Sequence, residues 1–332
     1  MTSSALKQIS RKVTNYIAAV EQSEGAGARV RRALGTSELR NFSPFLMLDH
    51  FRIGEGAGFT DHPHRGQTTV TYMLDGYVEH EDFAGHRGVI GPGDVQWMMA
   101  ARGIVHAEMP LTHDEKGNKL PIPIGMQLWI DLPAHAKKEE ASYQEFKSDQ
   151  LPVQVPRASE PKDTEGQGWS VKIISGNSHG AESPVRLPQS GGCYYMDIQL
   201  QPGGWIFQEI PHTWNALLYI IENKVSVGSE SSEVYDQYHT LTLSNPGLKS
   251  ETAEEAKIAL SNNDGVRINN PSNKPSRVIL IAAEPMDHPV VQYGPFVMCS
   301  KKEIYEAIQD FQLARNGFER AANWHSEIAK RL

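Results

Sequence analysis

Short apolar runs, many of them β-branched or aromatic and each closed by a turn signal, recur along most of the chain and predict an all-β protein. Thr69-Val70-Thr71-Tyr72-Met73-Leu74 ends at Asp75-Gly76, and Gly91-Pro92-Gly93-Asp94 leads into Asp94-Val95-Gln96-Trp97-Met98. That order suits a small antiparallel barrel, and the pattern holds from about Lys12 to Leu132, so residues 1–132 read as one domain. Residues 133–168 carry Lys137-Lys138-Glu139-Glu140 and Pro152, Pro156 and Pro161 among polar residues, and read as a linker. A second strand-rich block, 169–299, contains Trp169–Ile174, Tyr194–Leu200, Leu217–Ile221 and Arg277–Ile281, with a turn expected at Gln201-Pro202-Gly203-Gly204. The halves therefore look like two versions of one barrel plan. Within the second, residues 229–264 are rich in Ser, Glu and Asn and read as a surface insertion.

The period changes at the C-terminus, where residues 300–332 read as helical. Ser300-Lys301-Lys302-Glu303 has capping-box form, and Ile304, Ala307, Ile308 and Phe311 follow at helical spacing. A helix is predicted from Lys301 to the stop at Asn316-Gly317, its apolar stripe covering a sheet edge or a barrel mouth. Phe318 to Lys330 reads as a second short helical segment anchored by Trp324 and Ile328.

Composition narrows the class. A chain of 332 residues has room for two cores, and its 39% hydrophobic content without any run of about eighteen apolar residues fits a globular protein outside the membrane. Met1 to Gln8 lacks the apolar stretch of a secretory signal. With only Cys193 and Cys299, disulfides are not the framework; a reducing compartment is expected, and both thiols read as inert. A net charge of −8 disfavours direct nucleic-acid binding, so any nuclear role would run through a protein partner.

The candidate chemistry lies in His62-Pro63-His64 and His106-Ala107-Glu108. On a strand, residues two apart share a face, so each pair aims both donors into one space. Three imidazoles and a carboxylate can hold one metal ion, and an octahedral ion would keep two positions open for substrate, water or dioxygen. Such donors suit Fe(II), but also Mn, Co, Ni, Cu and Zn. Other polar residues carry weaker signals. His212-Thr213-Trp214 lacks a matching second pair and reads as a packed side chain. His80 and His86 flank a solvated hairpin loop, Trp97 and Met98 read as core, and Arg65, out of phase with the histidines, reads as a surface ion pair.

Longer motifs then carry a resemblance over nearly the whole chain. His62-Pro63-His64-Arg65-Gly66, Gly93-Asp94-Val95-Gln96-Trp97-Met98, Gly103-Ile104-Val105-His106-Ala107-Glu108-Met109-Pro110 and Gly294-Pro295-Phe296-Val297-Met298 resemble the signatures of the pirin family of bicupins. Gly25–Arg32 and Phe45–Asp49 match the same pattern, and Ser178–Arg186 and Asn316–Ala321 are similar to its eukaryotic branch. The resemblance implies two tandem cupin (jelly-roll) barrels with a C-terminal helix, a mononuclear non-haem Fe(II) held in the first barrel by His62, His64, His106 and Glu108, and no metal site in the second. It also implies cytoplasmic and nuclear residence and a monomer. Two activities follow from it. One is a quercetin 2,3-dioxygenase reaction on a flavonol and O2, in which Glu108 takes the substrate hydroxyl proton. The other is an iron-redox-sensitive co-regulator that binds transcription factors of the NF-κB or nuclear factor I type without catalysis. Thr68 departs from the pattern, standing where the family usually has Glu; by strand parity with His62 and His64 it is expected to face the site.

Overall fold

The computed structural model describes residues 8–156, 166–187, 192–229, 233–246 and 263–331. Much of the expected 229–264 insertion and part of the expected linker lie outside these residues. The chain forms two compact units with interleaved segments: Met1–Ala19 goes with Leu151–Pro285, and Val20–Gln150 goes with Met286–Leu332. Each terminal stretch thus belongs to the unit built from the other half.

The second unit holds the candidate metal residues. Its larger sheet has seven strands in the order Ser142–Phe146, Val95–Met99, Gln67–Asp75, Ile124–Asp131, Phe45–Arg52, Ala28–Leu34 and Glu21–Glu24. Ser142–Phe146, from the stretch read as linker, pairs along the whole of Val95–Met99. The smaller sheet has four strands, Phe59–His64, Ile104–Pro110, Val78–Asp82 and Arg87–Ile90, in that order. Residues of both sheets line one cavity of about 610 Å³: His62, His64 and Glu108 from the smaller, and Phe51, Thr71, Gln127 and Trp129 from the larger. An apolar group of Ala28, Val30, Phe51, Ile53, Met73 and Val78 fills the space between the sheets beside it.

The same unit is completed by its C-terminal stretch. Ser300 Oγ accepts from the Glu303 backbone N–H, and the Glu303 carboxylate reaches back to the Cys299 N–H, so the capping box forms with its return arm one residue earlier than usual. The helix spans Lys301–Gln312 and is the only α-helix among the described residues. It stops before Asn316-Gly317 because Ala314 already turns to positive φ. Ile304 and Ala307 pack with Phe296, Met298, Phe318 and Val105. Val105 lies between Ile104 and His106 on a metal-candidate strand, so the helix covers the outer face of the small sheet. Beyond it, two short 3-10 turns, Glu319–Ala322 and Ile328–Arg331, replace the expected second helix, and Ile328 is fully buried against Ala107 and Met109.

In the other unit an eleven-stranded sheet carries the core. Cys193–Glu209 runs straight through the expected Gln201–Gly204 turn, pairing with Ser276–Ala283 before it and with Asn263–Asn269 after it. Gly203, at φ +70°, allows this change of partner. Inside, Met196, Ile198, Leu218, Ile220, Val278 and Leu280 pack together in register across three strands. Val13–Ala18 adds an antiparallel strand at one edge, and Gln8–Ser10 pairs in parallel with Asn263–Asn269.

Candidate metal centre

Phe59–His64 and Ile104–Pro110 are antiparallel neighbours, with His106 opposite His62 and Ile104 opposite His64. Directly opposed residues share a face, so the two histidine motifs converge from adjacent strands. Ring centroids are 4.3 Å apart for His62 and His106, 4.9 Å for His62 and His64, and 5.1 Å for His64 and His106. One nitrogen from each ring lies within 4.8 Å of the others. That span is small enough for all three to bind one ion. The register slips between His106 and Glu108, which places Glu108 opposite Phe59. Glu108 lines the same cavity but stands outside the three-imidazole group, and its Oε1 accepts from Thr71 Oγ1 at 3.0 Å.

Local sequence explains the placement. Phe59–His64 is an edge strand of its sheet, so the N–H that Pro63 lacks costs no ladder bond on its open side. Gly66 ends the strand at φ +81°, and a Cβ there would lie 1.8 Å from the Val297 carbonyl oxygen. Only glycine fits that close approach. The Lys137 ammonium, paired with Asp131, also donates to the Gly66 and Val297 carbonyls, at 2.7 Å and 3.2 Å. The turn after the first motif is thereby held from two sides.

The environment suits a metal. Burial pushes the His64 and His106 imidazoles well below their ordinary pKa, with the neighbouring His62 adding to the effect, so both are neutral and have a lone pair to offer. Nε2 of His64 and both ring nitrogens of His106 are buried without a hydrogen-bond partner. Such orphaned atoms are costly in an apolar setting, and coordination to an ion would satisfy them. His62 Nδ1 donates to the Thr60 carbonyl at 2.7 Å, which directs its Nε2 into the group. Gln67 stands 2.8 Å from His64 Nδ1. The atom facing it is the Gln67 amide nitrogen; only with the amide turned to present its oxygen would Nδ1 donate and Nε2 be left free for an ion. Trp129 meets the His64 ring edge to face at 5.1 Å. The buried unpaired nitrogens of His64 and His106, beside His62, fit a divalent transition metal.

Several other residues sit differently from expectation. Thr68 faces away from the site: the turn at Gly66 resets the strand phase, so Thr71 lines the cavity and Gln67 reaches His64, while Thr68 lies in register with Met99 and Ile130. Arg65 does point away from the histidines but is buried rather than on the surface. Its guanidinium pairs with Asp310 at 2.9 Å, donates to the Arg102 and Asn316 carbonyls and lies over Phe318 at 4.7 Å. His80 is buried on a strand and bonded to Glu145, whereas His86 is half-exposed beside Asp82. Trp97 and Met98 are buried, as a core reading requires. In the other unit His212 stands 3.4 Å from Asp264, which a bidentate Arg11 also engages. Burial pushes both cysteine thiols up, against thiolate reactivity. The motifs gave no sign of Gln67, Thr71, Gln127 and Trp129. Restarting the alternation at Gly66 would have found the first two.

Comparison with known proteins agrees with this architecture. Residues 27–130 match the family model for Pirin, and residues 195–317 match that for the pirin C-terminal cupin domain. A pirin-like protein of Solanum lycopersicum is 45% identical over 329 residues, covering 98% of this chain and 100% of its own. Pirin of Homo sapiens is 42% identical over 323 residues, covering 96% of this chain and 98% of its own. Among solved structures, a quercetin 2,3-dioxygenase from Acinetobacter baumannii superposes with a TM-score of 0.75 at 26% identity, over 93% of this chain and 99% of that one.

Proposed function

Because this chain belongs to the pirin family and carries its two cupin domains, we propose that it is a mononuclear iron protein that opens flavonol rings with O2, as a quercetin 2,3-dioxygenase does. The observation that carries the reading is the cavity lined by His62, His64 and Glu108, with His106 grouped against the first two. His62, His64 and His106 would hold the ion, with Glu108 as a fourth, looser donor. Bound there, Fe(II) would supply the means of activating O2, with other divalent transition metals able to take the same donors.

The residues account for the remaining requirements. Val30, Phe51, Phe59 and Trp129 give the cavity apolar walls for a flat aromatic substrate, while Thr71, Glu108 and Gln127 supply polar contacts at one part of it. Glu108, which accepts from Thr71 and lines the cavity, would take the flavonol hydroxyl proton. The test is metal analysis of the purified protein together with O2 uptake on quercetin. About one iron per chain and quercetin-dependent uptake, both lost in His64→Ala and uptake lost in Glu108→Gln, are expected. Metal-loaded protein with no uptake, unaffected by Glu108→Gln, would overturn the dioxygenase reading.

A second reading has its own observation. The faces of Ile104–Pro110 that do not carry ligands pack under the C-terminal segment, through Val105, Ala107 and Met109. One added positive charge on oxidation of iron to Fe(III) would act on that strand, biasing a surface used by a transcription-factor partner in the cytoplasm and nucleus. Equal partner affinity for ferrous and ferric protein would exclude it. No described helix is long and apolar enough to cross a membrane.

A further inference from the structure

Thr71 Oγ1 lies 3.0 Å from Glu108 Oε1 and 2.7 Å from Gln127 Oε1. A hydroxyl has one proton, and a carboxylate oxygen and an amide oxygen are both acceptors, so Thr71 cannot satisfy the two at once. Turning the Gln127 amide resolves the conflict: its N–H donates to Thr71 Oγ1, and the Thr71 O–H donates to Glu108. Strand register supports the chain, because Gln127 and Thr71 are direct partners across Ile124–Asp131 and Gln67–Asp75. Thr71 is 2% exposed and all three residues line the cavity, so water competes little for these bonds.

We infer that Thr71 and Gln127 are positioning residues that hold one oxygen of Glu108 away from the three imidazoles, which makes Glu108 a single-oxygen, easily released donor. The inference rests on the proposed ligand set. A carboxylate free of that chain could turn both oxygens to the ion and close the coordination space that O2 and substrate need; one oxygen committed to Thr71 prevents this.

The experiment compares wild type, Thr71→Val, Thr71→Ser, Gln127→Leu and Glu108→Ala, each checked by circular dichroism, in two readouts. The first is the visible absorption of the Co(II)-loaded protein, which reports coordination number without any turnover. The second is quercetin-dependent O2 uptake of the iron-loaded protein. Thr71→Val should change the Co(II) bands and lower uptake about 10- to 100-fold, with the loss in kcat rather than KM. Thr71→Ser, which keeps the hydroxyl, should restore both, and Gln127→Leu should shift both in the same direction by less. Co(II) bands and uptake of Thr71→Val equal to wild type would overturn the inference. Wild type that binds no Co(II), or Glu108→Ala bands identical to wild type, would instead overturn the ligand set beneath it. If Thr71→Val does not fold, Gln127→Leu with wild-type bands and uptake is the overturning result.

Discussion

His80 Nε2 stands 2.8 Å from Glu145 Oε2, and Lys147 Nζ stands 2.8 Å from Glu145 Oε1. The His80 hydrogen bond, with help from Lys147 and against partial burial, lowers the Glu145 pKa to about 2. Since the folded-state value lies below the ordinary carboxylate range, the contribution is fully present above that range and is lost as pH falls toward about 2. Thermal melts of wild type and Glu145→Gln should therefore differ most near neutrality and converge in acid; a constant gap would show that the pair contributes nothing through ionisation. Thr68 offers a second residue-level test. Its buried hydroxyl has no hydrogen-bond partner and points to the Met99 and Ile130 side. Thr68→Val should leave metal content unchanged and the melting temperature equal or higher, because it removes an unsatisfied polar atom at nearly constant volume. A fall in metal content would return Thr68 to the site. The three converging histidines were legible in the sequence because strand alternation needs only local spacing, whereas the register slip before Glu108, which stands outside their group, was not. Gln67, Thr71 and Gln127 were not, because their direction depends on the phase reset at Gly66 and on pairing with a strand some sixty residues later.

Gly66 sets the geometry of the element that bears two of the histidines. Gly66→Ala would force a Cβ into the Val297 carbonyl from a left-handed backbone, and neither backbone can yield cheaply. A loss of more than about 3 kcal/mol in denaturant melts is expected, together with loss of bound metal. Wild-type stability would mean that the turn can relax. Most strands were readable from their runs, as Gln67–Asp75, Val95–Met99 and Ser276–Ala283 illustrate. Cys193–Glu209 was not, since a Pro-Gly-Gly segment signals a turn whether the chain reverses or only changes partner. Likewise the helix ended early at Gln312 through the conformation of Ala314, a residue type that carries no stop signal.

At the scale of the whole molecule, the unit with the metal candidates depends on distant sequence. Ile328, with no exposed surface, packs behind Ala107 and Met109, while the backbone N–H groups of Ser326 and Ile328 bond to Asp61 and Glu81. Ile328→Ala should cost about 2–4 kcal/mol and speed metal loss to a chelator, because it opens a gap behind the strand that carries His106 and Glu108. Chelator release at the wild-type rate would show that the strand needs no support from behind. Interleaving of this kind leaves no trace in local periodicity, which sees each strand but not its sheet. It has a consequence for how the protein is made. Residues 286–332 leave the ribosome only after all of 151–285, so His62, His64 and His106 are synthesised long before the strand and turns that brace them. A metal held as proposed by these histidines would gain its full support only once Val297 and Ile328 had been added, well after the three side chains themselves.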